Sequence, residues 1–229
     1  MKNMDYWLRK EGYDMAILGV SGSPIAEGNT DRIIQAALKK SGKETVFINL
    51  SKLKFDPCRG CCHLCATTNM CGREDELLPY LKLVLKSEAL VLGTPYQLGM
   101  PTGFMYNFLT RLFCFHHVKK LLNDKPVLLI SVGIKPKAIQ NGIACFESMV
   151  THSKQFNLIG HIYFNSQTPP CLKCGAGSYC RVGGLWKYVL GQDENKLKKF
   201  KFTPDKFNKW EDCPQIVEEI EAYGKLLAN

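Results

Sequence analysis

Residues 58–71 read CRGCCHLCATTNMC, five cysteines within fourteen positions. Thiols this dense can pair as disulfides, cycle as redox catalysts, or ligate a metal as thiolates. The chain holds eleven cysteines, an odd count that would strand one thiol in a disulfide framework. Its N-terminal stretch (MKNMDYWLRKEGYD) is polar, and the apolar run that follows, Met15 to Val20, spans only six residues, which predicts no secretory h-region. The longest apolar stretch, Val127 to Ile134, is far below the ~20 residues of a membrane span. The expectation is a cytoplasmic protein, in which thiols serve metal or redox chemistry rather than disulfides. Cys58-x2-Cys61-x3-Cys65-x5-Cys71 offers four thiolates from one segment, and reading from Cys62 gives Cys58-x3-Cys62-x2-Cys65-x5-Cys71. Four thiolates suit an iron–sulfur cluster or tetrahedral zinc.

A second group, Cys171, Cys174 and Cys180, is one ligand short of such a site. A spare upstream cysteine or Cys213 would complete it as a second cluster; a zinc knuckle and reduced thiols stiffening a loop are the alternatives. Cys114 and Cys145 fall on helical faces, where a cysteine packs as a small hydrophobe. His63, among the cysteines, either tunes or ligates the metal or is simply exposed. His116-His117 closes a helical pattern, where a cation favours the helix dipole.

Two further stretches carry binding chemistry. GVSGSPIAEGNT, residues 19–30, combines Ser21, Ser23, two glycines and Asn29-Thr30 at the opening of a helix. Hydroxyls, backbone amides and a helix dipole can there converge on a dianionic phosphate. The stretch has no lysine and neither G-x-x-x-x-G-K-[ST] nor G-x-G-x-x-G, which disfavours an ATPase P-loop and a dinucleotide fingerprint. GTPYQLGMPTGFMYNFLTR, residues 93–111, offers Tyr96 and Gln97 as an aromatic face and an amide for a flat heterocycle, in a loop shaped by Pro95 and Gly99.

The elements that must position these residues alternate. MAILGV (15–20) is a short apolar run closed by Ser-Gly-Ser-Pro and reads as a strand buried on both faces. Apolar residues at helical spacing over 30–40 follow, closed by Gly42. Strands are predicted over 44–50, 89–95, 126–133 and 158–165, and helices over 74–86 (acids in its first turn), 103–116 and 142–155. Alternation of this kind predicts a doubly wound parallel sheet with right-handed crossovers, its ligands beyond the carboxyl ends of the strands. Residues 166–213, with Pro169-Pro170, show no period and read as an extension draped on the domain. A last helix over 214–227 points Ile216, Ile220 and Leu227 inward.

SGSPIAEGNT resembles the SGSPRxxGNT phosphate loop of flavodoxin-like FMN reductases, and GTPYQLGMPTG with its following Arg is similar to their GSPVYFGSVSG…DR ring loop. PCRGCCHLC…CGREDEL resembles the compact cluster motif of the iron–sulfur flavoproteins within that group, the similarity running through roughly residues 14–165. The resemblance implies a flavodoxin-like α/β fold with five parallel strands over 1–165, a cysteine-rich insertion at 55–75, and a cysteine-containing extension with the last helix, 166–229, packed on the same domain. It implies that Ser21, Ser23, Asn29 and Thr30 hold an FMN phosphate. It further implies that Pro95, Tyr96, Gln97, Leu98 and Gly99 border the isoalloxazine, with Gly133 a further candidate. A [4Fe–4S] cluster is implied on Cys58, Cys65, Cys71 and either Cys61 or Cys62. Ile25 stands where the family has Arg, Gln97 where it often has Tyr, and Thr110 where Asp precedes the Arg.

The function so implied is an oxidoreductase coupling FMN to the cluster, with ferredoxin or NAD(P)H as donor and a homo-oligomer as its assembly. The formal charge of +9 suits an acidic electron-transfer protein. One alternative is an NAD(P)H-dependent FMN or quinone reductase with structural zinc. Another is a zinc-containing nucleic-acid-binding protein, suggested by the interleaved lysines and aromatics of KLKKFKFTPDKFNK, residues 196–209.

Overall fold

The computed structural model describes residues 16–122, 124–134, 136–152, 155–166, 171 and 174–228. The N-terminal stretch, Met15 and Pro169-Pro170 lie outside the described residues. Strands β1 (Ile17–Ser21), β2 (Thr45–Asn49), β3 (Ala89–Gln97), β5 (Lys125–Gly133) and β6 (Phe156–Asn165) pair in parallel in the order β2-β1-β3-β5-β6. A two-residue strand, β4 (Met100–Pro101), folds back antiparallel on β3. This is the doubly wound five-stranded sheet expected from the alternation.

The central strands β1, β3 and β5 are buried on both faces, and successive residues feed two different cores. Leu18, Val20, Leu90, Leu92, Val127 and Leu129 face one side. There they meet α3 (Leu78–Lys86), α4 (Gly103–Arg111) and α5 (Pro136–Thr151). Ile17, Val91, Leu128, Ile130, Ile162 and Phe164 face the other, against α1 (Asn29–Ser41) and α7 (Pro214–Leu226). Each fully buried Leu or Ile contributes roughly 1.5–3 kcal/mol. Ile216, Ile220 and Leu227 turn inward onto α1 and the sheet as their spacing predicts.

Several boundaries move for tertiary reasons. The helix expected from residue 74 starts at Leu78 because its acids are engaged elsewhere: Asp75 takes Arg111, and Glu76 accepts the Lys54 amide at 2.6 Å. The helix expected over 103–116 ends at Arg111 and tightens into a 3-10 turn, Leu112–Phe115. Consequently His116 lies beyond the α-helix, and burial, then Lys120, lowers its pKa instead of favouring the cation. The helix expected from Gly142 begins at Pro136; Gly142 is interior to α5 and serves a close approach described below.

The extension is less loosely arranged than its lack of period suggests. A π-helical turn, Leu185–Val189, and α6 (Glu194–Lys199), capped by Asp193, enclose a small core of Leu185, Trp186, Leu190, Leu197 and Phe207. Phe200 sits edge-on to Phe202 and Phe207 at 5.0 and 6.4 Å between ring centres. The aromatics that alternate with lysine in the sequence therefore pack on one another. No helix among the described residues is long and apolar enough to cross a membrane.

Candidate functional site

The carboxyl ends of β1, β3 and β5 open into a cavity of about 420 Å3, within the size range of small-molecule and cofactor sites. Three walls enclose it. Ser23, Ile25 and Gly28 come from the β1–α1 loop, Asn29 and Thr30 from the first turn of α1, and Pro95, Tyr96 and Gln97 from the end of β3 with Gly133 from β5. Cys171, Gly184, Phe207, Asn208 and Lys209 come from the extension. The extension is pinned there by Asn29 Nδ2 donating to the Asn208 carbonyl at 3.1 Å and by Asn208 Nδ2 donating to the Asn165 carbonyl at 2.9 Å.

The β1–α1 loop is built around a buried carboxylate. Asp31 accepts the Ser21 hydroxyl at 2.5 Å, the Glu27 amide at 3.0 Å and Asn49 Nδ2 at 3.0 Å. Ser21 is consequently spent inside the loop, where it also accepts the Ser23 amide at 3.1 Å, and is absent from the cavity wall. The N-cap of α1 is Gly28, whose missing side chain leaves the first turn without a side-chain acceptor. Amides of a first turn have no intrahelical partner, and with the helix dipole they suit an anion. Arg32 and Lys209 also border the cavity. The Arg32 guanidinium is aimed by Glu211 at 2.7 Å and Asn29 Oδ1 at 2.8 Å, so cationic side chains are present despite Ile25.

At the other end, Tyr96 and Gln97 pair with Pro101 and Met100, and Leu98-Gly99 closes the hairpin with φ of 52° and 80°. Two central residues at positive φ are the signature of a type I′ turn. Leu98 and Gly99 do not line the cavity, and Leu98 is fully exposed. Behind the hairpin, a Cβ on Gly142 would stand 2.1 Å from the Gly99 carbonyl oxygen and 2.7 Å from the Tyr96 ring. Burial pushes the Tyr96 phenol up to about 12, and its hydroxyl bonds Ser131 Oγ at 2.9 Å. A pocket with uncapped helix amides and two cations at one end and a clamped aromatic ring at the other fits a phosphate-bearing flat cofactor.

The cysteine segment forms a separate site. Cys58, Cys61, Cys62, Cys65 and Cys71 line one small hollow together with Arg73, Arg111 and Cys114. Cys62 opens α2 (Cys62–Thr68), and Asn69 at φ 50° ends it, donating its amide to the Cys65 carbonyl at 2.7 Å and turning the chain toward Cys71. Cys65 is buried, with Sγ 3.0 Å from His117 Nε2; burial, then the neighbouring thiols, raises its pKa. Arg111 is fully buried, bonded to Asp75 at 2.5 Å and to the Asp56 carbonyl at 2.9 Å. Nε of Arg111 and of Arg73 has no partner among the described residues. Buried donors are ordinarily satisfied, so cationic groups with spare donors beside five thiols fit an anionic, thiolate-ligated cluster. Among the described residues no three Cys, His, Asp or Glu side chains stand in metal-binding geometry; the thiols share a hollow without closing a cage. His63 is exposed. Cys114 is buried as expected, although it lies in the 3-10 turn after α4, and burial pushes its thiol up to about 12. Cys145 is half-buried, 3.7 Å from the Tyr106 hydroxyl.

The second cysteine group lies against the cavity rather than the hollow. A Cβ on Gly183 would stand 3.1 Å from Cys180 Sγ and 3.8 Å from Cys171 Sγ, so these two sulfurs converge. Cys174 Sγ points at the Cys171 carbonyl at 3.5 Å, while Cys213 packs with the α1–α7 core. Backbone amides of Val182 and Gly183 lower the Cys180 thiol pKa. Sequence reasoning did not find Asp31, Asn49, Arg32 or the extension's contribution to the cavity. Asp31 was readable as a first-turn acid; the others carry no local signal.

The family model described as NADPH-dependent FMN reductase matches residues 15–157. An iron–sulfur flavoprotein of Methanocaldococcus jannaschii is 35% identical over 88 residues, covering 37% of this chain and 45% of that protein. An iron–sulfur flavoprotein of Archaeoglobus fulgidus is 31% identical over 131 residues, 55% of this chain and 59% of that protein. The chain thus spans about half the length of these curated relatives. Among solved structures, an oxidoreductase from Corynebacterium diphtheriae superposes with a TM-score of 0.54 at 12% identity, covering 94% of this chain and 96% of that one, a likeness of fold. With the family model matching well over half of its length, the chain belongs to the NADPH-dependent FMN reductase family.

Proposed function

We propose that the protein is an iron–sulfur flavoprotein, an FMN-dependent oxidoreductase in which the strand-end cavity holds FMN and the cysteine hollow holds a [4Fe–4S] cluster. The observation that carries this reading is the path of α4. Thr102 caps the helix beside the ring wall, its hydroxyl donating to the Gly22 carbonyl at 2.6 Å, and Arg111 ends the helix in the cysteine hollow. At 1.5 Å per residue the helix that runs between them is only ~13 Å long.

FMN, when bound, supplies two-electron chemistry that can be released singly, whereas a cluster carries one electron at a time. The chain's own residues do the rest. The first turn of α1, Ser23, Arg32 and Lys209 hold the phosphate, and Pro95, Tyr96 and Gln97 fix the ring. Cys58, Cys65 and Cys71, with Cys61 or Cys62, hold the cluster, and Arg111 and Arg73 offset its charge. NAD(P)H or an acidic electron-transfer protein such as a ferredoxin serves as donor, the latter matched by the net charge of +9, and the working unit is a homo-oligomer.

Anaerobic purification with iron, sulfide, zinc and flavin counts per chain tests the reading. One flavin with about four irons, lost in Cys65→Ala while flavin is retained, is the expected outcome. Flavin with zinc and no iron would leave a simple FMN-dependent reductase, and no flavin would overturn the proposal.

A further inference from the structure

Tyr96 is the cavity-side end of a chain of hydrogen bonds that crosses the sheet. Its hydroxyl lies 2.9 Å from Ser131 Oγ, Ser131 Oγ lies 2.6 Å from His161 Nε2, and His161 Nδ1 lies 2.6 Å from Glu147 Oε1. Four elements contribute one residue each: β3, β5, β6 and α5. Ser131 is fully buried, the His161 side chain is 13% exposed, and that of Glu147 is 40% exposed. One end therefore borders the cavity and the other meets solvent. The ring of His161 is held edge-on by Phe146 at 6.2 Å, and the close approach of Gly142 holds the ring of Tyr96.

Three polar side chains in the middle of an apolar sheet are an expensive way merely to fix a tyrosine, because buried polar groups stabilise little beyond their own desolvation. What distinguishes this set is that every member can both donate and accept: the phenol, the hydroxyl, the two imidazole nitrogens in opposite roles, and the carboxyl when protonated.

We infer that Glu147, His161, Ser131 and Tyr96 form a proton relay between solvent and the cavity, with Tyr96 as its catalytic end. The inference rests on the FMN reading of the cavity. Uptake of two electrons by FMN as a hydride needs one further proton to give the neutral reduced cofactor. Tyr96 gives its hydroxyl proton to the cavity and takes one from Ser131 Oγ; Ser131 takes one from His161 Nε2. A proton entering from solvent at the Glu147 carboxylate passes to His161 Nδ1 as Nε2 releases its own, and the carboxylate is left as it began. The relay ends with as many protons as it began, and reoxidation runs it backwards.

The test uses the FMN-loaded full chain, with affinity measured first by quenching of flavin fluorescence. Dithionite then reduces the flavin in stopped flow, so that every proton taken up comes from solvent whatever the physiological donor. Ser131→Ala and Tyr96→Phe should reduce at least about tenfold more slowly than wild type, and a proton inventory that is bowed in wild type should become linear in Ser131→Ala. Glu147→Gln, at the exposed end where folding is not at risk, should also be slow and should be rescued by added imidazole, a response that a purely structural role does not produce. Ser131→Thr, which keeps the hydroxyl, should retain the rate. If Glu147→Gln reduces at the wild-type rate with an unchanged inventory, the relay is wrong and the cavity reading stands. A wild-type chain that binds no FMN overturns both.

Discussion

A leucine in left-handed backbone geometry is strained, because its Cβ crowds the following carbonyl at a cost of roughly 1–2 kcal/mol. Leu98 sits there at φ 52°, with its side chain wholly in solvent and so with no packing to offset the strain. Leu98→Asn would place Asn-Gly at a type I′ turn, the pair that geometry favours, and should stabilise the protein by about 1 kcal/mol in urea denaturation. A second prediction concerns Cys114, whose thiol is pushed from 9.0 to about 12 by burial. Its folded pKa lies above its unfolded one, so its contribution is complete below pH 9 and lost between about pH 9 and 12. In the metal-free protein, stability should fall over that window with a slope from this group of at most about 1.4 kcal/mol per pH unit. Cys114→Ala should remove that part of the slope; an unchanged slope would show the thiol is not the source. At this scale the sequence was informative where the chemistry is local. Ser23, Asn29, Thr30 and Pro95 to Gln97 line the cavity because each sits at the carboxyl end of a strand or in the loop and first helical turn that follow it. Ser21 has the same residue type and a neighbouring position, yet its hydroxyl goes to Asp31, a choice that only the packing of α1 on β1 decides.

At the scale of elements, strand and helix identity followed from periodicity, and the errors fell where a side chain had a distant partner. Asp75 and Glu76 looked like a helix first turn and were drawn off to Arg111 and the Lys54 amide. Gly142 looked like a helix boundary and is instead the contact point between α5 and the ring hairpin. Gly142→Ala should therefore force the Gly99 carbonyl or the Tyr96 ring aside. Overpacking of this kind costs about 1–3 kcal/mol, and displacement of Tyr96 should weaken FMN binding at least about tenfold, a loss of 1.4 kcal/mol or more. Urea midpoints and flavin titration measure the two effects separately; full FMN affinity in this variant would mean the ring wall is not clamped by α5. Ser131 and His161 carry no signal in the sequence beyond being single polar residues, one between Ile130 and Val132 and the other between Gly160 and Ile162. Their pairing with each other, and with Tyr96 and Glu147, depends on strand order and register.

At the scale of the molecule, the extension was the least legible part, because its small core gathers residues as far apart as Leu185 and Phe207 with no repeat to announce it. Its placement matters for function: Phe207 is at once part of that core and of the cavity wall, and Asn208 and Lys209 follow it to the helix α1 end of the same cavity. Folding of the extension and occupancy of the cavity are then linked, since a ligand that touches the folded extension stabilises it by mass action, by about 2.7 kcal/mol at a hundredfold excess over Kd. Hydrogen exchange followed by mass spectrometry should detect this. Addition of FMN should slow exchange in peptides spanning 184–209 as well as in those spanning 23–32 and 95–97, whereas peptides from α3 and from the far ends of the strands should be unaffected. Lys209→Ala should weaken FMN binding and reduce the protection gained by 184–209 while leaving that of 95–97 in place. If FMN protects the two loops alone, the extension is a neighbour of the cofactor and not one of its walls.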